Sequence, residues 1–172
     1  MKRLTVLRHA KSSWEEPNSD DFDRLLNDRG WAATRRVGHE LKQRGMHFDL
    51  GLASPAARVR ETLDGVAEGY GEFPFPIRFE PRIYEASVDT LLDLVRNLSE
   101  DLNAVLLVGH NPGLERLLVE LSRDDKHGLR DRVARKYPTA ALAVVELPAK
   151  RWAEIEPGTG TIVELLEPRE LD

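Results

Sequence analysis

Residues 2–12 read KRLTVLRHAKS, a short apolar run that ends in Arg8 and His9. A second apolar run, Ala104–Val108, ends in a Gly-His pair at His110. Both runs have the length and composition of buried strands in a parallel sheet. Because ligands collect at the carboxyl ends of such strands, we expect the two histidines to meet at one edge of the sheet.

Strand and helix patterns alternate along the rest of the chain. Strands are predicted at residues 4–7, 50–53, 104–108, 140–147 and 161–166, and residues 77–79 would make a sixth. Helices are predicted over residues 28–44, 55–69 and 88–98, and from residue 111 onward. Asn27, Ser54 and Ser87 are the predicted N-caps, Pro55 the first residue of the second helix, and Gly45 ends the first. The alternation predicts an α/β fold with a mostly parallel sheet of five to six strands.

Composition limits the possible functions. A chain of 172 residues with 41% hydrophobic content is predicted to form one domain, residues 1–172. The net charge of −5 argues against general binding to nucleic acid or to an anionic membrane surface. The absence of cysteine excludes disulfides and every cysteine nucleophile. No signal peptide or membrane span is predicted, so we expect a cytoplasmic protein, with a monomer favoured.

Two segments lack a clear periodic pattern. Residues 15–26 are rich in acids, but no metal-ligand spacing recurs there. We therefore expect a solvated loop and predict neither a metal nor another cofactor. Residues 123–138 are rich in lysine and arginine and are expected to form a solvated surface. Docking of an acidic partner is the alternative for this basic segment.

The residues expected around the two histidines are those that bind phosphate. Arg8 adjoins His9, and Arg58 falls in the first turn of the predicted second helix. A cation there opposes the helix dipole, which makes more sense if an anion binds at that helix terminus. Two arginines, two imidazoles and a helix N-terminus could surround the oxygens of a phosphoryl group. Since P-loop, zinc-helix and serine-elbow motifs are all missing, histidine is the best remaining nucleophile.

Several ordered motifs resemble those of the histidine phosphatase superfamily, the phosphoglycerate-mutase-like proteins. They are Leu7-Arg8-His9-Ala10-Lys11-Ser12, Asp23-Arg24 with Leu26–Gly30, Ser54-Pro55-Ala56-Ala57-Arg58, and Val108–Pro112. Tyr84-Glu85-Ala86 and Tyr137–Ala143 are similar to the SixA branch of phosphohistidine phosphatases. The resemblance implies a three-layer α/β/α sandwich around a mixed sheet.

The resemblance also implies a role for each residue at the site. His9 would attack phosphorus, Arg8 and Arg58 would hold the oxygens, and His110 would hydrogen-bond the transferring group. His9 must be neutral at the attacking nitrogen, so its other nitrogen is expected to donate to a backbone carbonyl. Nearby cations should keep the ring deprotonated.

Three further residues are expected near the site. Glu85 is the candidate general acid or base, with a solvated loop glutamate as the equal alternative. Lys11 and Ser12 are expected to flank the entrance and contact phosphate, or else to be packing or surface residues. Glu15 stands where mutase-like members have asparagine, and its charge would repel a phosphosugar acid. This favours a phosphatase over a mutase.

The leading hypothesis is a metal-independent phosphatase that hydrolyses phosphohistidine on a protein, such as a phosphotransfer domain, through a phosphorylated His9. A phosphomonoesterase of small metabolites on the same fold is the first alternative. A non-catalytic phosphate-binding module is the second, although binding alone does not require a nucleophile.

Overall fold

A six-stranded mixed sheet forms the centre of the computed structural model, which describes residues 1–14 and 20–170. The strands are β1 (Lys2–Arg8), β2 (Leu50–Ala53), β3 (Ile77–Phe79), β4 (Ala104–Gly109), β5 (Leu142–Leu147) and β6 (Thr161–Leu166). Their order across the sheet is β3-β2-β4-β1-β5-β6. Strands β1 to β4 run parallel, β5 is antiparallel to β1, and β6 is antiparallel to β5. The predicted sixth strand at residues 77–79 is confirmed.

Helices cover both faces of the sheet. Within the described residues they are α1 (Asp28–Gln43), α2 (Ala57–Tyr70), α3 (Val88–Arg96), α4 (Gly113–Leu121) and α5 (Leu129–Arg135). One apolar core packs α1 and α2 against the sheet, and a second packs α3, α4 and α5 against the opposite face. The predicted α/β/α sandwich is thus confirmed. No described helix is both long and apolar enough to cross a membrane.

Local capping explains where two of the helices begin. The Asn27 side chain accepts a hydrogen bond from Gly30 N at 2.8 Å, and the Ser87 hydroxyl accepts one from Thr90 N at 3.2 Å. Each cap satisfies a backbone N–H that has no partner inside its helix. Both predicted N-caps are confirmed.

Besides shifts of one or two residues at the ends of β1, α1, α3 and β4, three predicted starts are wrong. Helix α2 begins at Ala57, with Ala56 at the N-cap position, so Ser54 and Pro55 precede the helix. Strand β5 begins at Leu142, because Ala140 has a φ of 61° and leaves the extended conformation. Helix α4 begins at Gly113, just after the predicted start.

The basic segment 123–138 is also more regular than predicted. It contains α5, whose Val133 is fully buried in the second core. A seven-residue helix carries too little periodic signal to be recognised from sequence. Tertiary packing of Val133 therefore decides its structure.

Helices α1 and α2 approach each other closely because glycines lie at their interface. A Cβ atom built on Gly38 would overlap the carbonyl oxygen of Val66, and one on Gly69 would overlap that of Arg35. Both obstacles are backbone atoms, which cannot rotate away. Glycine at these positions therefore permits the close spacing of α1 and α2. Helix α2 carries Arg58.

Replacing Gly38 by alanine should destabilise the fold by about 1–3 kcal/mol through overpacking. In an unobstructed helix interior the same change would stabilise by about 0.5–1 kcal/mol, because glycine loses more backbone entropy. Urea unfolding of the wild type and of Gly38→Ala measures the sign of the change in the free energy of unfolding. An increase in the free energy of unfolding would refute the close contact.

Candidate active site

Backbone pairing between β1 and β4 brings the two histidines together. Arg8 pairs with Gly109 in the parallel register, and His9 N donates to the carbonyl of Gly109 at 3.0 Å. His9 directly follows β1 and His110 directly follows β4, and their ring centroids lie 5.3 Å apart. The expected meeting of the two side chains at one edge of the sheet is confirmed.

His9 is held in one tautomer. Its Nδ1 lies 2.8 Å from the carbonyl oxygen of Ala10. A carbonyl only accepts, so Nδ1 carries the proton and Nε2 keeps its lone pair. Burial, together with the charges of Arg58 and Arg8, lowers the pKa of His9 to about 4, although the hydrogen bond to the Ala10 carbonyl raises it. The predicted backbone acceptor and the direction of the pKa shift are confirmed, but burial contributes more to the shift than the cations that the prediction invoked.

His110 is a neutral hydrogen-bonding group in the same pocket. Its Nε2 lies 2.8 Å from the hydroxyl of Ser54, while its buried Nδ1 has no partner among the described residues. The Ser54 hydroxyl also accepts from Ala56 N and has one proton that it can donate to His110 Nε2. In that arrangement the ring proton of His110 lies on Nδ1. Burial, followed by the charge of Arg58, lowers the pKa of His110 to about 3.

Arg8 and Arg58 supply the positive charge of the pocket. Arg8 Nη1 donates to the carbonyl of Tyr137 at 3.0 Å, and burial lowers the pKa of this guanidinium. The Nε atoms of Arg8 and Arg58 are both buried without a partner in the described part of the chain. Buried donors normally have acceptors. Together with His110 Nδ1, these atoms are suited to the oxygens of a phosphoryl group.

The backbone that carries these side chains is fixed by two neighbours. The Thr62 hydroxyl accepts from Ala10 N at 3.0 Å and donates to the carbonyl of Arg58 at 2.6 Å, which ties α2 to the end of β1. On the other side, Ala140 N donates to the carbonyls of Arg8 and His9. The Arg8-His9 peptide is thus held between α2 and the segment that leads into β5.

A carboxylate already binds Arg58. Asp21 accepts from Arg58 Nη2 at 3.0 Å and from the Tyr84 hydroxyl at 2.6 Å, and its carbonyl accepts from Arg58 Nη1 at 2.7 Å. The Tyr84 hydrogen bond, together with Arg58, lowers the pKa of Asp21 to about 2. Burial and Asp21 raise the pKa of Tyr84 to about 12. Asp21 is therefore an anion that an incoming phosphoryl group would have to displace from Arg58.

The other predicted residues make no hydrogen bond to the two histidines or the two arginines within the described part of the chain. Glu85 is exposed, has a φ of 56°, and makes no hydrogen bond or ion pair with the described residues. The hydroxyl of Ser12 accepts from Arg24, whereas Lys11 lines a neighbouring groove. Glu15 lies outside the described residues, so its predicted effect stays a prediction.

Sequence reasoning missed several contributors. Ser54 was assigned to a helix cap, and Asp21 to a solvated acidic loop. Thr62 sits inside a helix with nothing in its neighbours to set it apart. Tyr84 belonged to a recognised motif, yet only the structure shows its ring edge-on to His110, with centroids 5.4 Å apart. Nothing local in the sequence identifies these partners, since each is distant along the chain.

The cluster can bind a phosphoryl group and attack it. A neutral imidazole with a free Nε2 lone pair is a nucleophile, and two guanidiniums and a His110 N–H can stabilise the charged oxygens. Among the described residues, no group of three or more histidine, aspartate or glutamate side chains could hold a metal ion.

Comparison with known proteins agrees with this chemistry. The sequence profile of the histidine phosphatase superfamily, branch 1, matches residues 4–104. An uncharacterised protein of Mycobacterium tuberculosis is 31% identical over 166 residues, which are 95% of this chain and 100% of that protein. This relative carries no assigned activity.

Two solved structures share nearly the whole fold. A protein of Agrobacterium tumefaciens, described as a candidate phosphohistidine phosphatase SixA, has a TM-score of 0.81 and 29% identity, covering 97% of this chain and 98% of its own. A similarly described protein of Nakamurella has a TM-score of 0.83 and 26% identity, covering 97% and 96%. The fold is therefore the expected phosphoglycerate-mutase-like α/β fold.

We expect His9 to stay neutral over the physiological range. With a pKa of about 4, its ring should keep the Nδ1-protonated pattern in ¹⁵N NMR spectra from about pH 8 to about pH 5. The pKa lies below the unfolded value near ~6.5. As the pH falls from that value toward 4, the unfolded state binds a proton before folded His9 does, so the free energy of unfolding should decrease. A titration midpoint of the His9 ring near ~6.5 would show that burial does not desolvate this side chain.

Asp21→Asn should strengthen binding of inorganic phosphate. Removing the competing charge frees Arg58, and a half-exposed ion pair is worth about 0.2–1 kcal/mol. The constant for inhibition by inorganic phosphate should therefore fall by roughly 1.4- to 5-fold. Asp23→Asn is the matched control, since Asp23 is also exposed in the same turn and forms no ion pair with the described residues. If inorganic phosphate inhibits both variants and the wild type equally, Asp21 does not compete with phosphate for Arg58.

Proposed function

Because this chain belongs to branch 1 of the histidine phosphatase superfamily, we propose that it is a metal-independent phosphatase that hydrolyses phosphohistidine on a protein. The observation that carries the proposal is the His9 ring, with Nδ1 donating to the carbonyl of Ala10 and a free lone pair on Nε2. The likeness to SixA structures at 26–29% identity supports the substrate class. The cytoplasm is the proposed site of action.

In the first half of the reaction, His9 Nε2 attacks phosphorus. A P–N bond forms to His9 while the P–N bond to the substrate histidine breaks, and its electron pair stays on the departing ring. That ring leaves as neutral imidazole when its far nitrogen is protonated. Arg8, Arg58 and His110 donate to the phosphoryl oxygens as charge shifts onto them.

In the second half, water attacks the phosphorus of phosphorylated His9. The bond to Nε2 breaks, inorganic phosphate leaves with the oxygen of the water, and the neutral ring is restored. The Ala10 carbonyl keeps the Nδ1 proton in place through both steps. No protein group has to gain or lose a proton permanently.

The leaving group favours phosphohistidine over a phosphate ester. An ester releases an alkoxide, which needs a strong proton donor, whereas imidazole, with a pKa near ~6.5, is a far better leaving group. Asp21 is a poor proton donor because its pKa is about 2, and Glu85 is exposed. This absence of a buried proton donor among the described site residues supports the phosphohistidine substrate.

The proposal predicts a covalent intermediate on His9. Rapid-quench reaction with a labelled phosphohistidine protein should give acid-labile, base-stable label on the wild type but none on His9→Ala. Turnover by His9→Ala should fall by at least about 10³-fold, as for loss of other enzymatic nucleophiles. His127→Ala is the matched control, because His127 is exposed in the loop before α5 and should label normally.

Three results would contradict the proposal. Equal labelling of His9→Ala would place the nucleophile elsewhere. Efficient hydrolysis of sugar phosphates or nucleotides, with none of a phosphorylated phosphotransfer domain, would favour the metabolite phosphomonoesterase. Phosphate binding without any turnover would favour the binding module.

A further inference from the structure

A groove of about 570 Å³ lies between α1 and α5. We name it the basic groove and define it by six of its lining residues: Lys11, Arg29, Arg36, Arg132, Arg135 and Lys136. Ala32, Ala33, Pro138 and Pro168 supply apolar wall between these cations. The groove is thus strongly positive in a chain whose net charge is −5.

Within the described residues, most of this charge has no carboxylate paired with it. Only Arg132 of the six forms ion pairs with carboxylates of the described residues, Glu167 at 3.7 Å and Glu170 at 3.0 Å. Lys11, Arg29 and Arg36 are exposed, as are Arg135 and Lys136. Elsewhere on the surface, Arg35 and Arg44 pair with glutamates, whereas Arg78, Arg116 and Arg123 are exposed without an ion pair among the described residues. The groove differs in that it brings several such cations together. Cations collected without counter-charges favour an anionic ligand.

The basic groove adjoins the active site. Lys11 follows His9 by two residues, a span of at most about 7 Å along an extended chain. On the other wall, Pro138 and Thr139 line the groove, and the flanking Tyr137 and Ala140 bind the Arg8 side chain and the backbone of residues 8 and 9. A ligand with its phosphoryl group at His9 would therefore extend naturally into the groove.

The spacing of the cations indicates an extended ligand. Arg29 and Arg36 are seven residues apart on α1, which is two helical turns or about 10.5 Å. A single phosphate cannot bridge that distance, whereas successive carboxylates of a protein segment can. Arginine forks match carboxylates in bidentate pairs, and the alanine and proline wall suits the methylene groups of such side chains.

We propose that the basic groove binds an acidic segment of the protein that carries the phosphohistidine. This inference rests on the proposed function and adds the surface by which the substrate is recognised. The basic segment 123–138, for which docking of an acidic partner was the alternative to a solvated surface, contributes one wall through Arg132, Arg135 and Lys136. Its remaining cations Arg123 and Lys126 do not line the groove, which makes them useful controls.

The test compares charge reversals inside and outside the groove. Arg29→Glu/Arg36→Glu and Arg135→Glu/Lys136→Glu alter opposite walls, whereas Arg123→Glu/Lys126→Glu makes the same charge change at exposed positions elsewhere. Each protein is assayed with a phosphohistidine-bearing phosphotransfer domain and with free phosphoramidate. Anisotropy with a labelled oligoglutamate peptide measures binding directly, in competition with inorganic polyphosphate.

Both groove variants should raise KM for the phosphoprotein and weaken peptide binding by at least about 10-fold, as expected for lost interfacial charge pairs. Turnover of phosphoramidate should stay at the wild-type level, which also shows that the variants fold. The Arg123→Glu/Lys126→Glu control should change each quantity less than about 3-fold, since peripheral charges act weakly.

Other outcomes overturn the inference in distinguishable ways. If groove and control variants behave alike while the wild type hydrolyses the phosphoprotein, the groove has no docking role and the proposed function stands. If the wild type hydrolyses phosphoramidate but not the phosphoprotein, the proposed substrate is wrong and so is its docking surface. Groove-dependent binding of polyphosphate in preference to peptide would replace the protein partner with a polyphosphate.

Discussion

The register between β1 and β4 is the constraint on which the site depends. With Arg8 opposite Gly109, both strands end together, and the next residue of each is a histidine. A shift by one residue would turn every β1 side chain to the other face of the sheet. The two apolar cores prevent that shift, because Leu4 and Val6 belong to one and Leu7 to the other.

Burial then determines the chemistry of the paired rings. A charged imidazole beside Arg8 and Arg58 would be both desolvated and repelled, so His9 and His110 are neutral. Hydrogen bonds to the Ala10 carbonyl and to Ser54 select the tautomers. On the proposed function, the environment that keeps His9 available as a nucleophile would also favour its phosphorylated form, since the added negative charge would meet two guanidiniums.

Local signals in the sequence were enough for most of the fold and for the core of the site. Strand ends, the caps at Asn27 and Ser87, and the Arg-His motif each depend on neighbouring residues. Ser54 was misassigned because its partner, His110, is 56 residues away. Asp21 was read as solvated for the same reason, since its contacts with Arg58 and Tyr84 form only when the sheet edge assembles. Long-range polar pairing leaves no periodic pattern to detect.

The distribution of charge explains how an acidic protein can recognise phosphoanions selectively. At physiological ionic strength, exposed charges are screened beyond about 8 Å, so the net charge of −5 has little reach into a pocket lined by its own arginines. It does disfavour loose accumulation of polyanions elsewhere on the surface. Asp21 has a related effect inside the pocket, where its carboxylate binds Arg58 and only a ligand with stronger contacts can displace it. On the proposed function, selectivity would arise from local geometry, since the pocket contains buried polar atoms that no other described residue satisfies.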